Sequence, residues 1–310
     1  MTLKYHPGQI EVQSEANTRR VADMLASWVG PVTEFCATAD MIILATEGAR
    51  GRLGFMAVSG QAPVVEVAGP STVLVPLGGT EAPSIEGTVS AGGLALNLAM
   101  ARRARLNGLL SREGDTLRLE ATETFTNCRK YVAPSAPVET ALHFGPVSRS
   151  EVTLDDHWLA RTVGSAETSF LASISPDGIV DVSHRGGPPG FLRLDPPAAR
   201  LEWDEYVGDG MLKSAGNIRA TGRFSLLVPD LTSGDAVELS GTASVRLLRR
   251  DKRPRTEGLQ QHREDFPVQG YMSCTLEAAF RLTALMNPRR RLEKRQRVTS
   301  ASPIGQQAPQ

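Results

Sequence analysis

Residues 181–191 read Asp-Val-Ser-His-Arg-Gly-Gly-Pro-Pro-Gly-Phe. They overlap a run rich in β-branched residues, Gly-Ile-Val-Asp-Val, at positions 178–182. This run predicts a strand. Ser183 and Arg185 are two residues apart, so on a strand their side chains point to the same face. A hydroxyl beside a planar guanidinium suits a phosphate group, and the glycines allow a ligand close to the backbone. The structural alternative is a strand edge that runs into a Gly/Pro turn.

A second polar cluster lies in residues 204–217, after an expected strand that ends at Trp203. Its glycines predict a turn into a short helix or loop that carries Lys213, Ser214 and Asn217. An ammonium, a hydroxyl and an amide at this place would complete a phosphate cradle begun by residues 183–185. Alone, the segment is typical of a surface loop; together with the first cluster it indicates a site.

The composition is that of an ordinary globular protein, with 41% hydrophobic residues, 22% charged residues and a formal net charge of zero. A neutral chain gives no electrostatic reason to expect a nucleic-acid or membrane partner. The three cysteines form no Cys-x-x-Cys pair and the five histidines lack metal-ligand spacing, so we expect no disulfide framework and no metal site. The sequence starts without a signal-peptide pattern and contains no long apolar run, which predicts a cytoplasmic protein.

Short apolar runs alternate with Gly/Pro turns along most of the chain, which predicts a mostly β fold. Apolar residues at helical spacing predict an early helix over residues 15–29, capped by Ser14, and a late helix over residues 275–286. The expected strands cover residues 41–46, 53–58, 64–67, 73–76, 105–110, 169–174, 179–183, 191–194, 200–203, 224–228 and 236–248.

The two sets of strands repeat. A shift of 127 residues lays Ala39–Val67 over Ala166–Leu194 without a gap and matches several glycines and apolar residues. In this register residues 183–187 correspond to Met56-Ala57-Val58-Ser59-Gly60, which lack the polar chemistry. We infer a tandem duplication of one small barrel, in which the second copy kept a site and the first became scaffold.

Several motifs resemble the pyridoxamine 5'-phosphate oxidase-like, FMN-binding split-barrel family, and in particular its bacterial branch with two barrel copies in one chain. The resemblance covers about residues 5–285 and implies a mostly β fold of tandem FMN-binding split barrels with peripheral helices. The motifs are residues 5–13, 102–108 and 125–131 in the first half, and residues 181–187, 189–191, 216–217 and 226–231 in the second half.

The resemblance implies an FMN-dependent oxidoreductase that acts on a small molecule, with NADPH or NADH as the candidate electron donor. Asp209 departs from the family pattern and places a carboxylate near the expected phosphate position. His184 is the one candidate catalytic residue. The expected cofactor-binding residues are Ser183, His184, Arg185, Gly186, Gly187, Gly190, Lys213, Ser214 and Asn217.

Two other functions stay open. One is a flavin-nucleotide-binding protein without turnover, and the other is haem binding on the same barrel with His184 as the axial ligand. A homodimer is the candidate assembly. The expected organisation is an N-terminal segment with a helix (1–34), a first barrel (35–131), a connector (132–150), a second barrel with the site (151–287) and a basic, disordered tail (288–310).

Overall fold

Strands dominate the protein, which is represented by a computed structural model. The structure describes residues 3–26, 33–78, 85–127, 129–248 and 266–292. Of these described residues, strand accounts for 49% and helix for 16%, which confirms the expected mostly β fold class. Within these ranges no helix has the length and apolar character needed to cross a membrane.

The elements follow one another in two similar series, and each expected strand overlaps an observed one. The first half holds α1 (Pro7–Glu15), α2 (Arg19–Ala26), α3 (Thr33–Cys36), β1 (Met41–Glu47), β2 (Leu53–Ser59), β3 (Glu66–Val67), β4 (Thr72–Pro76), β5 (Thr88–Asn97), β6 (Arg102–Glu113) and β7 (Thr116–Thr126). The connecting segment holds β8 (Ser135–Pro137), β9 (His143–Gly145) and β10 (Ser148–Glu151). The second half holds α4 (His157–Ser165), β11 (Thr168–Ile174), β12 (Val180–Gly186), β13 (Leu192–Asp195), β14 (Arg200–Tyr206), α5 (Lys213–Thr221), β15 (Arg223–Pro229), β16 (Ala236–Leu247), β17 (Val268–Thr283) and β18 (Arg289–Arg291).

The two halves have the same strand order. The first sheet runs β3-β4-β7-β6-β5-β1-β2 and continues to β9. The second runs β13-β14-β17-β16-β15-β11-β12, with β10 beside β17. Each sheet curls into a half-barrel. If β1 is matched with β11 and β2 with β12, each of the seven strands of the first order has a counterpart at the same position of the second order. The repeat seen in the sequence is therefore also a repeat of topology.

The register of the two halves also agrees with the sequence alignment. The pairing of Met41 with Ser59 on β1 and β2 corresponds to the pairing of Thr168 with Gly186 on β11 and β12. Both residues of the pair are displaced by 127 positions. The gapless alignment over these strands is therefore structurally correct.

A β-bulge recurs at equivalent places of the two halves, and a glycine stands at each. The ladder shifts between Asn107 and Gly108 on β6, and between Ser240 and Gly241 on β16. A Cβ on Gly108 or on Gly241 would lie 2.0 or 2.1 Å from a backbone oxygen of the next strand. Only glycine fits at such a close approach of two backbones.

The halves pack against each other through a shared apolar core. Fully buried side chains of β1, such as Met41 and Ile43, meet Phe170 on β11 and Val182 on β12. Burial of this surface, at about 25 cal/mol per Å², holds the two sheets together. β12 thereby lies against β1, β5 and β6 of the first half, which brings polar residues of both halves to one place.

The expected late helix over residues 275–286 is wrong, because residues 275–283 lie in the strand β17. Buried side chains alternate from Met272 to Leu276, and then the bulge opposite Gly241 inserts Glu277. The next buried residue is Ala279. The bulge thus changes a spacing of two into a spacing of three, which imitates the helical pattern.

The expected early helix over residues 15–29 is wrong in its bounds. α1 ends at Glu15, the chain turns through Asn17 in the left-handed region (φ 56°), and α2 begins at Arg19. An Asn tolerates this conformation better than most residues, so it breaks the apolar periodicity into two short helices. Residues 27–29 lie outside the described residues.

The tail that we expected to be disordered from residue 288 is ordered at its start. β18 pairs with β8, and Arg289 is buried with its Nη2 atom 2.9 Å from Asp40 Oδ2. The connector is likewise built into the sheets, since β9 extends the first and β10 the second. Residues 293–310 lie outside the part of the chain that the structure describes.

Candidate functional site

A polar cavity of about 90 Å³ lies between the two halves at the edge of β12. β12 supplies its last residues, and the β6 strand of the first half supplies two arginines from the opposite side. The lining residues are Arg103, Arg105, Asn127, Tyr131, His184, Arg185, Gly186, Phe191, Asp204, Glu205, Tyr206, Gly208, Asp209, Gly210, Leu212, Lys213, Ser214 and Gln269. We call this space the inter-half cavity.

Ser183 and Arg185 share one face of β12, as their spacing predicts. The Nη1 atom of Arg185 donates a hydrogen bond to Ser183 Oγ at 2.9 Å. Ser183 is fully buried behind the cavity wall, whereas the side chain of Arg185 is 17% exposed and lines the cavity. The hydroxyl therefore supports the guanidinium from behind.

The second polar cluster meets the first at the start of α5. Ser214 Oγ lies 2.8 Å from Ser183 Oγ, so the two segments are joined by a buried hydrogen bond. Lys213 and Ser214 both line the cavity. Since α5 is a short helix that follows the turn at Gly208 and Gly210, the local structure of this segment agrees with the sequence prediction.

Each of three cations at the cavity is paired with a carboxylate. Arg185 Nε lies 2.8 Å from Glu205 Oε1, Lys213 Nζ lies 3.0 Å from Glu123 Oε1, and Arg105 Nη1 lies 3.0 Å from Asp181 Oδ1. The side chains of these pairs are at least four-fifths buried. A phosphate that binds Arg185 or Lys213 must therefore compete with a carboxylate that is already in place.

Asp181 is the centre of a buried network that crosses between the halves. Its carboxylate accepts hydrogen bonds from Arg105, from Asn107 Nδ2 at 2.8 Å and from Ser214 Oγ at 2.9 Å. Burial by itself raises the pKa of Asp181, but the charges of Arg105 and Lys213 and these hydrogen bonds outweigh it and lower the pKa below its usual value. Asp181 is thus held as a carboxylate that ties β12, β6 and α5 together.

His184 lines the cavity, and one of its ring nitrogens has no partner among the described residues. Arg103 Nη1 lies 2.8 Å from Nδ1, and because a guanidinium can only donate, Nδ1 is the acceptor. Burial first, and then the charges of Arg103 and Arg185, lower the pKa of His184 well below its usual value, so the ring is neutral with its proton on Nε2. Nε2 is buried and has no hydrogen-bond partner among the described residues.

Three aromatic rings form a cluster at one side of the cavity. The ring centroids of Tyr131, Tyr206 and Phe266 lie 5.2 to 5.4 Å from one another. Tyr131 and Tyr206 also line the cavity. Rings of this kind offer a flat apolar surface on which a planar ligand can stack.

The residues fit one end of an FMN molecule better than the other. An N–H donor on His184 and the aromatic cluster suit a planar ring that carries carbonyl oxygens. Arg185, Ser214 and Lys213 are the right groups for a phosphate, but Glu205 and Glu123 neutralise the two cations. A volume of about 90 Å³ is also smaller than a typical ligand pocket, so the cavity encloses only part of such a molecule.

The structure brings some of the expected cofactor residues together at the inter-half cavity, and the others lie outside its wall. His184, Arg185, Gly186, Lys213 and Ser214 line the inter-half cavity, with Ser183 directly behind. Gly186 is required there, because a Cβ would lie 1.9 Å from the backbone oxygen of Tyr131. Besides Ser183, three expected residues do not line the cavity, namely Gly187, Gly190 and Asn217.

Asn217 belongs to a neighbouring cavity of about 240 Å³. Its Oδ1 atom lies 2.9 Å from both His6 Nε2 and Gln9 Nε2. Lys213 lines this second cavity too, so the Lys213–Glu123 ion pair stands between the two spaces. The polar face of α5 is therefore divided between them.

The equivalent position in the first half is covered. There β2 is paired on its outer edge with β9, from Ala57↔Gly145 to Ser59↔His143. In the second half β12 is the last strand of its sheet. The connector thus closes the place that corresponds to the inter-half cavity.

The sequence did not predict that side chains of the first half would contribute to the site. Arg103, Arg105 and Asn107 alternate along β6 and supply a donor to His184 and two to Asp181. The sequence contains the signal, since these three polar residues at a spacing of two alternate with Ala104, Leu106 and Gly108 and mark one face of the strand. Their partner on β12 cannot be identified without the packing of the two sheets.

No protein-family model matches the sequence, and a search of curated proteins finds no match. Among solved structures, HupZ of Group A Streptococcus aligns with 14% identity and a TM-score of 0.31, over 43% of this chain and 97% of that chain. A Clostridium acetobutylicum protein related to general stress protein 26, of the pyridoxinephosphate oxidase family, aligns with 13% identity and a TM-score of 0.30, over 43% and 91% of the chains. A pyridoxamine 5'-phosphate oxidase-related, FMN-binding protein from Nostoc punctiforme aligns with 11% identity and a TM-score of 0.27, over 42% and 80% of the chains. Each of these alignments covers about two-fifths of the present chain.

Proposed function

We propose that this chain is an FMN-dependent oxidoreductase that binds one flavin in the inter-half cavity and acts on a small molecule. The observation that carries the proposal is the unpartnered Nε2–H of buried His184, which lies in the same cavity wall as Arg185 and Ser214. A buried donor without an acceptor is costly and points to a ligand atom that completes it.

Each part of the site has a role toward the flavin. His184 Nε2 would donate to an oxygen or nitrogen of the ring, and the tyrosines of the aromatic cluster would cover its face. Arg185, supported by Ser183 and Ser214, would hold the phosphate. When bound, the flavin supplies hydride or electron transfer between the electron donor, NADPH or NADH, and the substrate.

The pairing of Arg185 with Glu205 gives a direct test of the phosphate position. We expect Glu205→Gln to tighten FMN binding about tenfold, because the amide no longer neutralises Arg185. The amide oxygen can still accept the hydrogen bond that Trp203 Nε1 donates to Glu205. Riboflavin, which lacks the phosphate, is the matched ligand and its affinity should not change. Flavin fluorescence titration measures both; equal effects on the two ligands would show that the phosphate does not meet Arg185.

A flavin-binding protein without turnover is the first alternative. It predicts the same titrations but no bleaching of the flavin band near about 450 nm when NADPH or NADH is added without oxygen. Rapid bleaching by either nucleotide supports the oxidoreductase.

Haem is the second alternative, and the site supports it less. An axial histidine needs a free lone pair on the nitrogen that meets iron. Because Arg103 donates to Nδ1, the proton of His184 is on Nε2, and neither nitrogen is available. An absorption spectrum separates the two cofactors, since haem gives a strong band near about 400 nm.

A further inference from the structure

A third cavity, of about 390 Å³, is lined mainly by residues of the second half. It is close to the proposed flavin site, because Thr168 in its wall pairs with Gly186 across β11 and β12. It is bounded by α4, by the start of β11, by the end of β15 and by β18, and it shares no lining residue with the inter-half cavity. Its volume is within the range of small-molecule sites, about 300 to 1,000 Å³. We call it the α4 cavity, after the helix that carries Trp158 and Arg161 into its wall.

A buried guanidinium in this wall lacks one partner. The side chain of Arg289 is fully buried; its Nε donates to Ser135 Oγ at 3.0 Å and its Nη2 to Asp40 Oδ2 at 2.9 Å. Nη1 has no hydrogen-bond partner in the part of the chain that the structure describes. Thr168, which is 2% exposed, also lines the cavity and leaves its Oγ1 unpartnered. Buried polar atoms of this kind are normally satisfied, and an anionic ligand would satisfy both.

The charge of the wall favours the same class of ligand. Arg161 is exposed and forms no ion pair with any described residue, whereas Arg291 is paired with Glu167 at 2.8 Å. With Arg289 the cavity has three guanidinium groups, and the carboxylates that line it are those of Glu167 and Asp230. Because Arg289 is paired with Asp40, Arg161 is the cation of this wall without a paired carboxylate among the described residues. Guanidinium groups bind phosphate and carboxylate through paired hydrogen bonds.

An indole and two apolar residues line the rest of the space. Trp158 is half-buried, with the guanidinium of Arg281 4.3 Å from the centroid of its ring. Pro134 and Leu231 also contribute to the wall. This surface suits a flat apolar group next to the anionic head.

We propose that the α4 cavity binds a small organic anion, a phosphate or carboxylate joined to a flat apolar body. Arg161 and Arg289 hold the anion, Thr168 donates to it, and Trp158 covers the apolar part. The α4 cavity shares no lining residue with the flavin site, so both can be filled at once.

Phenyl phosphate is the probe, titrated by calorimetry into the full chain with and without FMN. We expect one binding event with a Kd below about 1 mM, at least tenfold tighter than inorganic phosphate, and unchanged by FMN. Arg161→Ala should weaken it at least tenfold. Arg20→Ala, which removes an exposed arginine on α2, is the matched control and should bind like the parent chain.

Thr168→Val gives a test that a merely structural role would not pass. Replacing an unpartnered buried hydroxyl with a methyl group should leave the unfolding midpoint unchanged or raise it, while phenyl phosphate binding weakens several-fold. The proposal is overturned by any of three results. These are no binding at about 10 mM, the parent affinity in both variants, or displacement of the probe by FMN.

Discussion

Asp181→Ala should lower the free energy of unfolding by about 3 to 5 kcal/mol, the loss expected when one partner of a buried ion pair is removed. The carboxylate is 1% exposed and Arg105, its partner, is 10% exposed. Without Asp181 the guanidinium stays buried without its counter-ion, and Asn107 and Ser214 lose an acceptor. A loss of this size is a large part of the 5 to 15 kcal/mol that typically separates folded from unfolded chains.

Urea unfolding measures this change, with Asp177→Ala as the matched control, because Asp177 is an exposed acid on the turn before the same strand. The control should change the free energy of unfolding by less than about 0.5 kcal/mol. Arg105→Met combined with Asp181→Ala should recover much of the loss, since no buried charge remains. If the double variant is as unstable as the sum of the single ones, the two residues do not act as a pair.

The same carboxylate gives a pH dependence with a definite sign. The pKa of Asp181 is lower in the folded state than in the unfolded chain, so its contribution to stability is present above the unfolded value, about 3.9. It is lost as the pH falls through the folded value. The difference in stability between the parent chain and Asp181→Ala should therefore shrink in acid and stay constant near neutral pH.

Arg185→Ala should weaken FMN binding about 100-fold, or about 2.7 kcal/mol, because the phosphate loses its planar cation. The variant also leaves Glu205 buried beside the proposed phosphate position, where Trp203 is its one remaining side-chain donor among the described residues. Two effects therefore act in the same direction, and riboflavin should be affected much less than FMN.

Arg185→Ala combined with Glu205→Gln separates these effects. The double variant should regain part of the FMN affinity, because the repelling carboxylate is gone. Arg200→Ala, on the exposed face of β14, is the matched control and should bind FMN like the parent chain. An Arg185→Ala variant with parent affinity for FMN in fluorescence titration would show that the phosphate lies elsewhere.

Much of the fold can be predicted from local sequence signals. Strands β1, β2, β11 and β12 are bounded by turns, and the shift of 127 residues aligns them in their true register. Residues 275–283 are an exception, because the sequence predicted a helix there and the structure has a strand. The cause of this wrong prediction is local. A bulge is set by how closely the backbones of neighbouring strands approach, as at Gly241, and that approach is not visible in the apolar pattern of one strand.

The candidate site is predictable only where its residues are close in sequence. Ser183 and Arg185 share a face because they are neighbours on a strand, and this follows from spacing alone. The carboxylates that neutralise the cations come from other elements: Glu123 from β7 and Glu205 from β14. Which carboxylate meets which cation depends on the packing of the two halves, so the sequence predicts the cations of the proposed phosphate position but not their counter-ions.

The central claim is that the duplicated topology carries one flavin site, and the flavin content of the chain tests it most directly. The purified protein, freed of bound flavin and titrated with FMN, should saturate at one FMN per chain, with a flavin spectrum that shows a band near about 450 nm. β9 covers the equivalent place in the first half, so a second equivalent should not bind. Saturation at two flavins per chain, or no flavin binding at all, would contradict the account.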